Sequence, residues 1–191
     1  MSDRNRIVSS ESEELILVDR DDNEVGFASK SDAHDGGGIL HRAFSLFLFN
    51  DSGALLLQQR AAGKRLWGGF WSNSCCSHPR RGESLEVATT RRLQDELNFE
   101  TQLEHVYSFC YEASFGPAGS ENELCHVYLG PVAEELSPNE SEISAIRFVT
   151  AAELDAKFRD TPERFTPWFK QEWRELKENY REQLARYCSL G

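Results

Sequence analysis

A helix that mixes apolar and charged residues on one stripe restricts the fold of this chain more than any other feature. From Glu83 to about Leu97, Leu85, Ala88, Arg92 and Glu96 fall on one face at spacings of three and four. The segment NSCCSHPRRGES, rich in turn residues, leads into it and reads as a loop. Strand signals stand on both sides. LILV at 15–18 is followed by a turn at Asp21-Asp22-Asn23 and a return through Val25-Gly26-Phe27. Lys30 to Gly38 ends in three glycines and reads as a loop. Ala43 to Phe49 is a strand by its aromatic and aliphatic content, and Asp51-Ser52-Gly53 turns it into Ala54 to Gln59 as a hairpin. Further strands are expected at 105–115, 123–129 and 143–149. An amphipathic helix should close the chain from Pro167 to about 187, with Phe169, Trp173, Leu176, Tyr180, Leu184 and Tyr187 on one face. Hairpins mixed with helices predict an α/β (α+β) sandwich.

Composition excludes more than it names. A chain of 191 residues with 39% hydrophobic and 28% charged residues suits one globular domain. The formal net charge of −11 argues against a nucleic-acid partner and against adhesion to an anionic membrane, although a few cations converging locally could still hold a phosphate. The first twenty residues carry acids where a signal peptide would be apolar, so a cytoplasmic protein is expected. There the five cysteines would be mostly reduced, and their odd number and irregular spacing fit no disulfide framework.

The stretch from Ser77 to Phe99 resembles a degenerate Nudix box. Glu83, Arg91, Leu93, Glu96 and Phe99 fit that motif, Ser77 and Asn98 replace its two glycines, and Asp95 replaces a glutamate. Arg92 stands where Nudix hydrolases carry a glutamate of the acidic face that holds Mg2+ and activates water. A cation there weakens a hydrolase reading and suits an added phosphate contact. Four more pieces raise the specificity: His34-x6-His41 running into HRAFSLFLFN, the segment NSCCSHP, Glu121-Asn122-Glu123-Leu124-Cys125, and Phe165-Thr166-Pro167-Trp168. In this order the chain from about Lys30 to Trp168 resembles the type I isopentenyl-diphosphate isomerases, which are built on a Nudix fold. The resemblance implies a Nudix-type α/β/α sandwich with a mixed sheet and hairpins.

It also implies a site. His34, His41, His78, Glu121 and Glu123 would hold a divalent ion. Two carboxylates two residues apart share one face of an extended segment, and mixed nitrogen and oxygen donors suit Mn2+, Zn2+ or Mg2+. Cys76 and Glu123 would be the acid/base pair that moves protons on either side of a tertiary carbocation, the sequence leaving open which gives and which takes. Trp168 matches the position of an indole that faces the cation, and Tyr111 that of a tyrosine hydrogen-bonded near the glutamate. Arg60, Lys64 and Arg92, with Lys30, match phosphate contacts. Glu96 matches a carboxylate that helps hold a Mg2+ brought by the substrate diphosphate. Cys75, His105 and His126 read as structural, and Trp67, Trp71 and Trp173 as core or pocket wall.

The expected activity is interconversion of isopentenyl and dimethylallyl diphosphate in isoprenoid precursor biosynthesis, by a monomer or small homo-oligomer. Two other classes compete. A Nudix-type diphosphate hydrolase would want glutamate at 92 and has no use for Cys76. A silent Nudix-like binding module would be favoured only if Cys76 or Glu123 were missing.

Overall fold

The computed structural model describes residues 6–133 and 135–190. A mixed sheet carries the molecule, and its strands are β1 (Glu14–Val18), β2 (Glu24–Ser29), β3 (His41–Phe49), β4 (Leu55–Arg60), β5 (Trp71–Ser72), β6 (Cys75–Ser77), β7 (Glu104–Ser114), β8 (Ser120–Pro131) and β9 (Ile143–Val149). Helices are α1 (Lys30–Ala33), α2 (Leu85–Leu97), α3 (Ala151–Asp160), α4 (Pro167–Asn179) and α5 (Arg181–Leu184).

β3 is the central strand. It pairs parallel with β8 from His41↔Glu123 to Phe49↔Pro131, and antiparallel with β6 at Phe44↔Ser77, Ser45↔Cys76 and Leu46↔Cys75. Its side chains alternate between two cores, which is why its sequence is apolar without a polar face. Ala43, Phe47 and Phe49 join Leu55 and Leu57 beneath Phe169, Trp173 and Leu176 of α4. Phe44, Leu46 and Leu48 join Leu56 beneath Ala88, Leu93 and Leu97 of α2. Each of these leucines and phenylalanines contributes roughly 1.5–3 kcal/mol by leaving water. The result is the α/β/α sandwich with a mixed sheet that the sequence implied.

Helix α2 begins at Leu85, two residues after the expected start at Glu83, and ends at Leu97 as expected. The Ser84 hydroxyl accepts from the Val87 amide as N-cap, and Asn98 closes the helix in the left-handed region at φ 53°. That conformation explains an asparagine where the motif has glycine.

Four expectations change. Lys30 to Gly38 is not all loop, because Ser29 caps the helical turn α1. NSCCSHPRRGES contains β6, whose three residues find their partner in distant β3, too short a stretch to leave a periodicity. β3 and β4 meet as a hairpin only at Phe49↔Leu55; β4 then turns to β9 and β5, so that Leu56 can reach the α2 side while β3 keeps β8 and β6. The last helix is broken at Tyr180, where φ is −127° and the ring stacks on Tyr107 at 4.6 Å. The bend lets Leu184 and Cys188 return to the core. Helix α3 had no sequence assignment, although Thr150 and Glu153 form a complete capping box.

Candidate active site

Three histidines converge from three elements. His34 caps the end of α1, His41 opens β3, and His78 follows β6. Their ring centroids lie 4.8, 5.2 and 4.8 Å apart. Nδ1 of His34 donates to the Lys30 carbonyl at 2.7 Å and Nδ1 of His41 to the Ile39 carbonyl at 2.7 Å, because a carbonyl can only accept. Both rings therefore turn a lone pair on Nε2 inward. Glu121 and Glu123, two apart on β8, face the same space. His34 Nε2 stands 2.8 Å from Glu121 Oε2, and His78 Nε2 bonds Glu123 Oε1 at 2.7 Å. One candidate ligand atom from each of the five lies within 4.8 Å of the others.

The donor set fits a divalent ion. His41 Nε2 is buried and makes no hydrogen bond, and Glu121 Oε2 makes none either despite its nearness to His34. Two buried acceptors left without a hydrogen bond are costly unless something electropositive satisfies them. Burial pushes the His78 imidazole well below its usual range, and His41 and His34 add to this. Burial also works against His34, but Glu121 reverses it and the net direction is upward.

Glu123 links this cluster to the rest of the cleft. It faces Tyr111 across β7 and β8, and the tyrosine hydroxyl donates to Glu123 Oε2. Burial pushes the Glu123 carboxyl up, yet the nearby His41 imidazole, 3.7 Å away, and the hydrogen bond from Tyr111 carry it below the carboxylate norm. The Tyr111 ring lies 6.2 Å from Trp168, and Trp168 Nε1 donates to Cys76 Sγ at 3.2 Å. The Cys76 thiol donates to Asn73 Oδ1 at 2.8 Å, with Ser45 Oγ at 3.6 Å and Ser72 Oγ at 3.8 Å. Burial, followed by the charge of Glu172, pushes this thiol up to about 12, so it holds its proton at neutral pH.

The adjacent cysteines point to opposite faces of β6, as strand geometry demands. Cys75 joins the core under α2, whereas Cys76 lines the cleft. Trp168 is placed by the start of α4, where the Thr166 hydroxyl meets Ser72 Oγ at 3.0 Å. Its ring packs edge-on against Trp67 at 5.2 Å. Trp67 holds φ at 48°, a conformation that costs a non-glycine residue on the order of 1–3 kcal/mol and is held here by packing.

A network of opposite charges lines the same cleft. Arg92 bonds Glu96 Oε1 at 2.9 and 2.6 Å, Glu142 Oε2 at 3.0 Å and the Val8 carbonyl at 3.0 Å. Burial opposes its charge, but Glu96 and Glu142 outweigh that and push its pKa upward. Lys64 pairs with Glu142, Lys30 Nζ reaches Ser9 Oγ at 2.5 Å, and the Arg60 guanidinium lies 5.4 Å from the Trp168 ring centre. Lys30, Arg60, Lys64 and Arg92 therefore border one cleft with Cys76, Tyr111, Glu123 and Trp168. Glu96 borders it too, but stands outside the His/Glu cluster.

Sequence reasoning missed Glu142, Ser45 and Glu172. Nothing local marks Glu142 in the turn-rich segment before β9. Glu172 did leave a signal, falling four residues after Trp168 and four before Leu176, an acid on an apolar stripe. His126 behaves as expected of a structural residue, lying between Ser108 Oγ at 2.9 Å and Asp22 Oδ2 at 3.1 Å.

A NUDIX domain matches residues 39–169, and the chain belongs to that family. Among curated proteins, the chain is 40% identical over 175 residues to Isopentenyl-diphosphate Delta-isomerase 1 of Photorhabdus laumondii, covering 91% of this chain and 99% of that one. It is 42% identical to Isopentenyl-diphosphate Delta-isomerase of Serratia proteamaculans, covering 93% and 98%. Within the NUDIX proteins, the chain belongs to the isopentenyl-diphosphate Delta-isomerase family. A Deinococcus radiodurans structure shares the fold with a TM-score of 0.67 at 23% identity, covering 92% of this chain and 99% of that one. A Nudix hydrolase structure from M. smegmatis does so with a TM-score of 0.52 at 19% identity, covering 93% and 98%.

Proposed function

We propose that this chain interconverts isopentenyl and dimethylallyl diphosphate, supplying precursors for isoprenoid synthesis in the cytoplasm. The observation that carries the reading is the line Cys76–Trp168–Tyr111–Glu123. It connects a thiol that keeps its proton to a carboxyl that gives its proton up, through an indole and a phenol. Moving a double bond by one carbon requires a proton added at one end of the allylic unit and removed at the other. Cys76 and Glu123 serve as those two groups. The Trp168 ring stabilises the intervening tertiary cation by cation–π attraction, worth about 2 kcal/mol when desolvated, without offering a nucleophile. Tyr111 holds Glu123 in place.

His34, His41, His78, Glu121 and Glu123 would hold Mn2+, Zn2+ or Mg2+. When bound, such an ion supplies positive charge that stabilises Glu123 as a carboxylate and orders the ligands around it. Lys30, Arg60, Lys64 and Arg92 receive the diphosphate, and Glu96 helps hold its accompanying Mg2+. The substrate's phosphate oxygens take over donors that Glu96, Glu142, Val8 and Ser9 occupy in the free protein. A diphosphate hydrolase is the weaker reading, since Arg92 sits in two ion pairs where that chemistry wants an acid. Among the described residues no helix is long and apolar enough to cross a membrane.

The test is proton NMR of isopentenyl diphosphate in D2O with protein, Mg2+ and Mn2+. Deuterated dimethylallyl diphosphate is the expected product. Release of phosphate would move the hydrolase ahead, and an unchanged substrate after metal loading and thiol reduction would sink both.

A further inference from the structure

A buried polar chain runs back from Cys76 into the core under α4. Ser45 Oγ lies 3.6 Å from Cys76 Sγ, Cys125 Sγ donates to Ser45 Oγ at 3.5 Å, and the same sulfur contacts Glu172 Oε1 at 3.5 Å. Ser45, Cys125 and Glu172 are at most 1% exposed, and none of them borders the cleft. Glu172 Oε2 makes no hydrogen bond of good geometry, although the Ser45 hydroxyl faces the same carboxyl. An ionisable group buried this way destabilises the fold unless it stays neutral. Burial accordingly pushes the Glu172 carboxyl up to about 8, against the pull of Ser45 and Cys125. Leucine or glutamine would fill the space at less cost, so packing alone does not account for the acid.

We propose that Glu172 is a proton reserve for the Cys76 thiol and acts on it through the Ser45 hydroxyl. The inference rests on the isomerase reading, in the direction in which Cys76 is the donor. The S–H bond breaks as the alkene π pair takes its proton, leaving a tertiary carbocation facing a thiolate. A thiolate is a strong nucleophile that would trap the cation as a thioether. The proton of Glu172 passes to Ser45 Oγ as the Ser45 proton passes to Cys76 Sγ. The thiol is again neutral, and the negative charge moves to the Glu172 carboxylate, close enough to attract the cation and too far to bond it. Glu123 then takes a proton from the neighbouring carbon, whose C–H pair becomes the new π bond. Once product leaves, exchange with solvent returns a proton to Glu172 and removes one from Glu123. Glu172 is thus a positioning residue for the thiol proton.

The experiment measures kcat and KM for isopentenyl diphosphate in the parent, Glu172→Gln, Glu172→Asp, Ser45→Ala and the Ser45→Ala/Glu172→Gln double variant. Mass spectrometry of the Cys76 peptide follows turnover in each. Glu172→Gln should lose about tenfold or more in kcat with KM within about twofold, and should accumulate a substrate adduct on Cys76. Glu172→Asp, which keeps the acid, should retain more activity than Glu172→Gln. The double variant should be no worse than the worse single, because both substitutions cut one path. Parental kcat without adduct in Glu172→Gln, or single losses that multiply in the double variant, would overturn the inference while leaving the isomerase intact. A parent that does not isomerise would remove the function reading and this inference with it.

Discussion

Tyr111 and Glu123 stand directly opposite each other on antiparallel β7 and β8, and the phenol donates its only proton to the carboxylate. Cross-strand placement makes this contact a property of register rather than of a flexible side chain. Burial and then the charge of Glu123 push the phenol well above its usual range, so Tyr111 remains a donor throughout the working pH range. Tyr111→Phe removes one charge-assisted hydrogen bond, of order 1.5–3 kcal/mol. The expected loss is roughly ten- to hundredfold in kcat, with KM little changed, read from steady-state turnover.

Cys76 and Cys75 are sequence neighbours that face different cores. Cys76→Ala should abolish turnover, with a loss of about a thousandfold or more and a melting temperature close to the parent's. Cys75→Ala should keep most activity but lower stability by roughly 1 kcal/mol through the small cavity it leaves beneath α2. Equal activity in the two variants would disprove the assignment of the reacting thiol.

The unsatisfied His41 Nε2 and Glu121 Oε2 predict that metal stabilises the folded chain. Protein stripped with a strong chelator should melt lower and turn over no substrate. Adding Mn2+ or Zn2+ at a hundred times its dissociation constant should restore about 2.7 kcal/mol of stability. His41→Ala should flatten that thermal shift, which calorimetry reads without any substrate present.

Glu172 should make the parent less stable as pH rises. Its folded carboxyl titrates near 8 and the ordinary value is 4.5, so between those limits the folded state binds more protons than the unfolded one. Stability contributed by this group is present below the unfolded value and is lost as pH climbs toward the folded one. At pH 7 the penalty is of order 3 kcal/mol. Glu172→Gln should remove that slope, gaining more stability over the parent at pH 8 than at pH 5 in urea titrations. Parallel curves for the two proteins would contradict it.

Most of the cleft was legible because its residues lie in compact strings. His34 and His41, Cys76 and His78, and Glu121 and Glu123 each sit within a few residues of one another, and the structure brings all three groups together. What escaped depends on distant pairing. β6 is a strand only because β3 lies beside it, and Ser45 meets the Cys76 thiol only because that pairing sets the two opposite each other. Glu142 meets Arg92 across 50 residues of chain, a separation no local pattern reports. The break at Tyr180 escaped for the same reason, since the hydrophobic period continues through it while the Tyr107 ring decides where the helix ends.

The parallel pairing of His41 with Glu123 has a consequence for assembly. A slip of one residue between β3 and β8 would turn every following side chain to the wrong face, and with it one member of the chelating set. Misaligned and correctly aligned chains would then differ little in helix content but sharply in their hold on an ion. An ion held by the cluster would thus act as a vernier for the central strands, and the fraction of freshly refolded protein that captures it would count the molecules whose sheet has closed in register.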